Sequence, residues 1–117
     1  MKIQVNTDNH TTGSAHLTRH VEEVVTGAMS RFGDRVTRVE VHLTDENSNA
    51  KSSGTDKRCV MEARLAGLQP MTVTAEGPSI EKAIADASEK LERRLGNTLD
   101  RLNDPKGRTS FAGEVTP

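Results

Sequence analysis

One long stretch of the chain, residues 79–102, has the pattern of an amphipathic helix. Its apolar residues recur at helical spacing and line one face: Ile80, Ala83, Ile84, Ala87, Leu91, Leu95 and Leu102. A helix of this length with one apolar stripe must bury that stripe against another layer of structure. The stretch therefore predicts a folded domain in which this helix covers a sheet or a second helix.

The charged residues of the same helix divide between two flanks. The basic residues lie mostly on one side of the apolar stripe: Lys82, Lys90, Arg93, Arg94 and Arg101. The acidic residues lie mostly on the other side or opposite the stripe. One interpretation is a solvated face with i,i+4 ion pairs, Asp86–Lys90 and Glu89–Arg93. The other is a basic edge that faces a polyanion. The pattern alone leaves both open.

The rest of the chain supplies a second helix and four short strands. Ser14 can cap a helix that runs to about Phe32, with Gly33 as its stop. Alternating apolar and polar residues predict strands at residues 2–6, 36–43, 58–65 and 71–76. Residues 45–57 contain no apolar residue except Ala50, which predicts a flexible loop.

The predicted order is β-α-β-β-β-α, and each element has one apolar face. This order predicts an α+β two-layer sandwich with both helices on one face of a four-stranded mixed sheet. The first two strands should be parallel, and strands two to four should form an antiparallel meander. We expect one domain at residues 1–102 and a flexible tail at residues 103–117. The open sheet face should carry Lys2, Gln4, Arg38, His42, Arg58, Glu62 and Arg64.

Composition limits the functional classes. The chain has 117 residues and a formal net charge of −1, so only a local patch can attract phosphates. No apolar run is long enough for a membrane span, and the first residues lack the apolar core of a signal peptide. Cys59 is the single cysteine, so no internal disulfide can form. Together these features favour a cytoplasmic protein that does not bind membranes.

Catalytic and metal chemistry find little support in the sequence. Cys59 and His42 should face opposite sides of the sheet, so a nucleophile and base pair is not expected. His16 and His20 stand at i,i+4 but lack a third ligand, and we interpret them as solvated. The acidic loop that begins at Asp45 has Ala50 where a calcium loop needs glycine. We predict no enzyme activity, metal, cofactor or small-molecule substrate, and an inert buried thiol at Cys59.

Nucleic-acid binding would have to use charge rather than stacking. The chain has no Trp or Tyr and only two Phe, and the predicted sheet has no aromatic residue on which a base could stack. Recognition would therefore go through phosphates and shape, with Arg and Lys as the contacts.

Two segments carry a resemblance to a known family. AEGPSIEKAIADASEKLERRL (75–95) ends in a Lys-Leu-x-Arg-x-Leu pattern, and VEVHLTDEN (39–47) precedes DKRCVMEARLAG (56–67). With the element order, these segments resemble the ribosome hibernation-promoting factor and ribosome-associated inhibitor A family, in its short form. The resemblance covers residues 1–102.

The resemblance implies a non-enzymatic factor that binds the small ribosomal subunit. Members of the family occupy the channel of messenger and transfer RNA near the decoding centre, and so silence idle ribosomes under stress. The motif match implies that Lys90 and Arg93 contact ribosomal RNA, and after them Arg94 and Lys82. The long family form dimerises through an added C-terminal domain that this chain does not contain, so we expect a monomer when it is off the ribosome.

The remaining candidates for RNA contact follow from the predicted layout. They are Arg101 on the second helix, Arg19 and Arg31 on the first, and Arg38, Arg58 and Arg64 on the open sheet face. The second helix has five basic and five acidic residues, and it lacks the Asp-Met-Tyr that opens the helix in many members. An alternative function therefore stays open: a small cytosolic regulatory module of the same fold that binds a protein partner.

Overall fold

The observed elements follow the predicted order β-α-β-β-β-α. The protein is described from a computed structural model, which covers residues 1–7, 15–45 and 57–103. Its elements are β1 (Lys2–Thr7), α1 (Ala15–Met29), a short 3-10 helix (Ser30–Arg35), β2 (Val36–Asp45), β3 (Lys57–Leu65), β4 (Met71–Gly77) and α2 (Ile80–Asn103).

The four strands form one mixed sheet in the order β1-β2-β3-β4. β1 is parallel to β2, while β2, β3 and β4 form an antiparallel meander, as predicted. The register aligns Thr7 with Leu43, Leu43 with Cys59, and Cys59 with Ala75. β1 and β4 are therefore the two edge strands.

Both helices cover the same face of the sheet, which confirms the predicted two-layer sandwich. Alternate residues of β2, β3 and β4 point into the core because successive side chains of a strand face opposite sides. They meet Val21, Val25 and Met29 of α1 and the apolar stripe of α2. The buried strand residues include Val39, Val41, Leu43, Cys59, Met61, Ala63, Val73 and Ala75, and those of α2 are Ala83, Ile84, Ala87, Leu91, Leu95 and Leu99.

The helix boundaries differ slightly from the predicted ones. α1 ends at Met29 rather than Phe32, and the chain continues as the 3-10 helix, in which Gly33 has a positive φ of 58°. Phe32 still packs against the core. At the start of α2, the Ser79 hydroxyl accepts a hydrogen bond of 3.1 Å from the Lys82 amide, so Ser79 is the N-cap. The predicted cap of α1, Ser14, lies outside the described residues.

One predicted core residue of α2 is wrong. Leu102 is 56% exposed, whereas Leu99, which the predicted stripe did not include, is only 6% exposed. A helix of 24 residues is about 36 Å long at 1.5 Å per residue. The nine residues of β3 span only about 30 Å. Leu102 lies on the last turn of α2, where it lines two open grooves instead of the core.

Two regions of the prediction lie largely outside the described residues. The flexible loop is predicted at 45–57. In the structure its first residue, Asp45, ends β2 and its last residue, Lys57, begins β3, and Lys57 Nζ lies 3.3 Å from Asp45 Oδ1. Residues 46–56, with the rest of the tested calcium motif, are not described. The predicted tail, 103–117, is described only at the backbone of Asn103. Among the described helices, none is long and apolar enough to cross a membrane.

Candidate nucleic-acid interface

Two cations of α2 lie over the free edge of β4. Lys90 Nζ donates a 2.7 Å hydrogen bond to the Thr74 carbonyl, and Arg94 Nη1 donates one of 2.9 Å to the Thr72 carbonyl. Lys90 and Arg94 are four residues apart, so they share one flank of the helix. Thr72 and Thr74 are two residues apart, so their carbonyls face the same side of the strand. The four-residue spacing on the helix and the two-residue spacing on the strand therefore align both cations with carbonyls that β4 does not use for strand pairing.

Two further arginines of α2 extend this flank. On a helix of 100° per residue, Lys90, Arg93, Arg94 and Arg101 fall within an arc of about 100°. We call these four residues the basic row. Within the described part of the chain, neither Arg93 nor Arg101 forms an ion pair or a hydrogen bond with its side chain. An open groove of about 360 Å³ runs between helix and strand, lined by Thr72, Val73, Thr74, Lys90, Arg93, Arg94 and Asn97.

Charge is unevenly distributed along α2. Residues 80–89 contain one basic and three acidic side chains, whereas residues 90–103 contain four basic and two acidic ones. The neutral total of the helix therefore hides a positive C-terminal half. Cations are also favoured near a helix C-terminus, because the helix dipole is negative there.

The ion pairs predicted for α2 are wrong. Asp86 pairs with Lys82, at 3.4 Å, instead of with Lys90, whose ammonium reaches β4. The predicted pair Glu89–Arg93 does not form in this structure either. For Lys90 the reason is that the Thr74 carbonyl competes for the ammonium, and a charge-assisted hydrogen bond of 2.7 Å is favoured over an exposed ion pair. Lys82 has Asp86 as its partner and is not counted in the basic row.

Arg31 lies on the opposite flank of α2. Its Nε is 3.9 Å from Glu92 Oε2, and its guanidinium lies 4.7 Å from the centroid of the Phe32 ring. The guanidinium also crosses the surface of the helix at Gly96. The structure therefore separates Arg31 from the basic row.

The arginines of the open sheet face are each matched by a carboxylate. Arg38 contacts Gln4 and lies 3.1 Å from Glu40, Arg58 binds Glu76 with contacts of 3.1 and 3.0 Å, and Arg64 lies 3.9 Å from Glu62. This face consequently offers little uncompensated positive charge. Arg19 is exposed on α1, a different helix from the one that carries the basic row. Of the ten predicted residues, the structure thus brings together four.

Cys59 and His42, which were considered as a nucleophile and base pair, lie on opposite faces of the sheet. Cys59 is fully buried, and burial raises the pKa of its thiol from 9.0 to about 12. His42 pairs with Val60 in the sheet and faces the open side, opposite Cys59. In the parts of the chain that the structure describes, no group of three or more His, Cys, Asp or Glu side chains could hold a metal ion.

Asn97 and the carbonyls of Thr72 and Thr74, which lie in the groove beside the cations, were not predicted from the sequence. Asn97 is four residues after Arg93, so helical spacing alone could have placed it beside the basic row. The carbonyls of Thr72 and Thr74 had no such signal, because a strand edge becomes visible only when the sheet order is known.

Comparisons with known proteins agree with this architecture. Residues 3–103 match the family model described as Sigma 54 modulation protein / S30EA ribosomal protein. The fold is similar to a ribosomal subunit interface protein from Coxiella burnetii, with a TM-score of 0.67 and 17% sequence identity over 86% of this chain and 99% of that chain. It is also similar to the N-terminal domain of Thermus thermophilus Protein Y, with a TM-score of 0.67 and 16% identity over 84% of this chain and 99% of that chain.

No curated protein sequence matches this chain significantly. At such low identity the two structural likenesses establish the fold. The family match covers most of the chain. This match decides the family. It includes the segments that carry the resemblance and all the described secondary structure except the first residue of β1. The chain belongs to the Sigma 54 modulation protein / S30EA ribosomal protein family.

Proposed function

We propose that this protein is a cytoplasmic ribosome-associated factor that binds structured RNA of the small ribosomal subunit. In this proposal the bound protein blocks the channel of messenger and transfer RNA, inhibits translation and preserves idle ribosomes under stress. Family membership supports the ribosome as partner. The observation that carries the choice of surface is the basic row, four cations on one exposed flank of α2 with Arg93 and Arg101 unpaired within the described residues.

The geometry of the row suits phosphate contacts. Lys90 and Arg94 each use one donor on the edge of β4, but an ammonium has three donors and a guanidinium five. Both side chains therefore keep donors for phosphate oxygens. Since they are already held in position, they would lose less rotamer entropy on binding, a cost of roughly 0.5–1.5 kcal/mol for a free side chain of this kind.

The proposed mechanism is steric and needs no chemical step. The row rises about 16 Å along α2 from Lys90 to Arg101, at 1.5 Å per residue. A contact surface of this kind reads the position of phosphates on a folded RNA rather than the base sequence. The protein would act alone, as a monomer, by occupying space in the channel.

The test is co-sedimentation with purified small subunits over a range of salt concentrations. We compare the wild type with Arg93→Ala/Arg101→Ala, which removes two cations that form no ion pair or hydrogen bond within the described protein. Lys90 and Arg94 are left intact because they also bind the edge of β4. Arg19→Ala/Arg64→Ala is the matched control, with the same change of charge on α1 and the open sheet face.

Each phosphate contact contributes about one unit to the slope of log K against log salt. We expect the first variant to bind more weakly, with a slope smaller by about two, and the control to bind like the wild type. Equal weakening by both variants would mean that the row is not the contact surface. Absence of binding by the wild type at every salt concentration would reject the ribosomal function in favour of a protein partner.

A further inference from the structure

The free edge of β4 presents hydrogen-bond donors whose neighbouring acceptors are already occupied. In an antiparallel strand, the N–H and the C=O of one residue point to the same side. The carbonyls of Thr72 and Thr74 bind side chains of α2, so they point away from β3, and the amides of the same two residues do so as well. Within the described part of the chain, neither of these amides donates a hydrogen bond. The edge therefore has covered acceptors and open donors.

This pattern determines which class of ligand the edge can bind. A peptide that adds to a sheet as a further strand needs both the donors and the acceptors of the edge. Lys90 and Arg94 occupy the acceptors, with hydrogen bonds of 2.7 and 2.9 Å. Open amides beside two fixed cations suit an anion instead, because an oxyanion accepts hydrogen bonds from both kinds of donor.

The open amides lie in a groove that an anion can enter. Thr72 and Thr74 line the groove of about 360 Å³ between α2 and β4. Arg93 also lines it and forms no ion pair or hydrogen bond within the described residues, and Asn97 adds a side-chain amide that can donate. None of the described residues that line the groove is acidic. The charge and the donors of the groove thus favour the same kind of ligand.

The donors repeat along the groove at a spacing that fits a polynucleotide. Thr72 and Thr74 are about 6.8 Å apart along the strand, and Lys90 and Arg94 are about 6 Å apart along the helix. One amide therefore stands beside one cation twice in succession. In RNA, six backbone bonds separate neighbouring phosphorus atoms, and six bonds likewise separate Cα atoms two residues apart in a protein. The two repeats are consequently similar in length.

We propose that one strand of RNA runs along the edge of β4, with two consecutive phosphates bound by main-chain amides as well as by cations. One phosphate lies between the Thr74 amide and Lys90, and the next lies between the Thr72 amide and Arg94. The inference rests on the proposed function, since it takes RNA as the ligand, and it adds the backbone of β4 to the contact surface. Main-chain amides read no bases, so the contact is independent of RNA sequence.

Amide NMR tests the contact in the wild-type protein. The protein labelled with nitrogen-15 is titrated with hexauridylate, a single strand without stable base pairing. We expect the amide resonances of Thr72 and Thr74 to shift downfield with increasing occupancy. The amides of β1, at the other edge of the sheet, should stay in place. If neither threonine amide shifts, the proposal is overturned, even where the oligonucleotide binds elsewhere on the protein.

A proline substitution removes one of the two donors without changing the charge. Thr74→Pro keeps the carbonyl that Lys90 binds, and an edge strand tolerates it because the lost N–H faces away from the sheet. Thr74→Val is the matched control, which also loses the hydroxyl but keeps the amide. We expect Thr74→Pro to bind hexauridylate about tenfold more weakly than the control, because a hydrogen bond to a charged acceptor is lost. Fluorescence anisotropy measures both affinities, and equal values overturn the proposal.

Folding of the proline variant is checked separately by circular dichroism. The NMR titration of the wild type does not depend on that variant, so it decides the question if Thr74→Pro does not fold.

Co-sedimentation with small subunits distinguishes this inference from the proposed function. We expect Thr74→Pro to bind more weakly than Thr74→Val, with the same salt dependence, because no cation is removed. If the wild type and both variants bind equally well, the main-chain contact is rejected and the ribosomal function stands. If the wild type does not bind subunits while its Thr72 and Thr74 amides respond to hexauridylate, the function is rejected and the phosphate contact stands.

Discussion

Gly96 allows Arg31 to lie across α2, and replacing it tests that contact. A Cβ atom at position 96 would overlap Nη2 of Arg31 and approach its Cζ to 3.3 Å, with no other heavy atom within 4 Å apart from neighbouring helix backbone. The obstacle is therefore the end of a flexible side chain, which can move away. In Gly96→Ala we expect Arg31 to leave Glu92 and Phe32 while the helix stays in place.

Two opposing effects of similar size decide the stability of this variant. Alanine is favoured over glycine in a helix interior by about 1 kcal/mol. Losing the ion pair with Glu92, whose side chains are 58% and 41% exposed, costs at most about 0.5 kcal/mol. Losing the cation–π contact between the Arg31 guanidinium and the Phe32 ring costs about 0.5–1 kcal/mol at an exposed site. The free energy of unfolding should therefore change by less than about 0.5 kcal/mol.

A double-mutant cycle separates the two effects. In an Arg31→Ala background the obstacle is gone, so Gly96→Ala should raise the free energy of unfolding by about 1 kcal/mol. Urea denaturation of the four proteins measures the difference between the backgrounds, which corresponds to a midpoint shift of about 0.3–1 M. If Gly96→Ala has the same effect in both backgrounds, Arg31 does not lie over Gly96. A loss of more than about 2 kcal/mol in the Arg31→Ala background would instead indicate close backbone packing.

Two further predictions follow from the core and from the edge of β4. Burial raises the pKa of Cys59 from 9.0 to about 12, so the folded state keeps a proton that the unfolded state loses above pH 9. The stability that the neutral thiol contributes below pH 9 is therefore lost as the pH rises towards 12. Cys59→Ala should thus lower the free energy of unfolding by about 1 kcal/mol less at pH 10 than at pH 8, measured by urea titration. An equal effect at both pH values would contradict this. Lys90→Met/Arg94→Met removes the side chains that bind the edge of β4 and should lower the free energy of unfolding by about 1 kcal/mol. It should also cause concentration-dependent association through the open strand edge, which analytical ultracentrifugation measures. The control Arg93→Met/Arg101→Met should stay monomeric, and identical behaviour of the two variants would contradict the role of the edge bonds.

The architecture was predictable because periodicity is a local property of the chain. Alternation placed Val39, Val41 and Leu43 on one side of β2, and the structure buries all three. The right-handed crossover rule then made β1 parallel to β2 without reference to any distant contact. The boundary between the domain and the tail, by contrast, stays a prediction.

The candidate site was predictable only in part. Helical spacing identified the flank that carries Lys90, Arg93 and Arg94, and the motif resemblance singled out the same region. The predicted ion pair of Asp86 with Lys90 was wrong because Lys90 binds a carbonyl sixteen residues away in sequence. The three sheet arginines looked equally suitable, but each has a carboxylate beside it: Arg38 and Arg64 have one two residues away on the same strand, and the cross-strand register places Glu76 beside Arg58.

The sequence by itself determined which face of each element is apolar, and hence the two-layer fold, because a side chain's direction follows from the 3.6-residue and two-residue periods. Only the tertiary structure decided that Leu99 is buried and Leu102 exposed, since only the packing shows where the core ends along α2. It likewise decided which cations are free and which are held. For Lys90, Arg94, Arg58 and Arg31 the partner is a carbonyl or a carboxylate on a different element, and only the packing of strands and helices brings the two groups together.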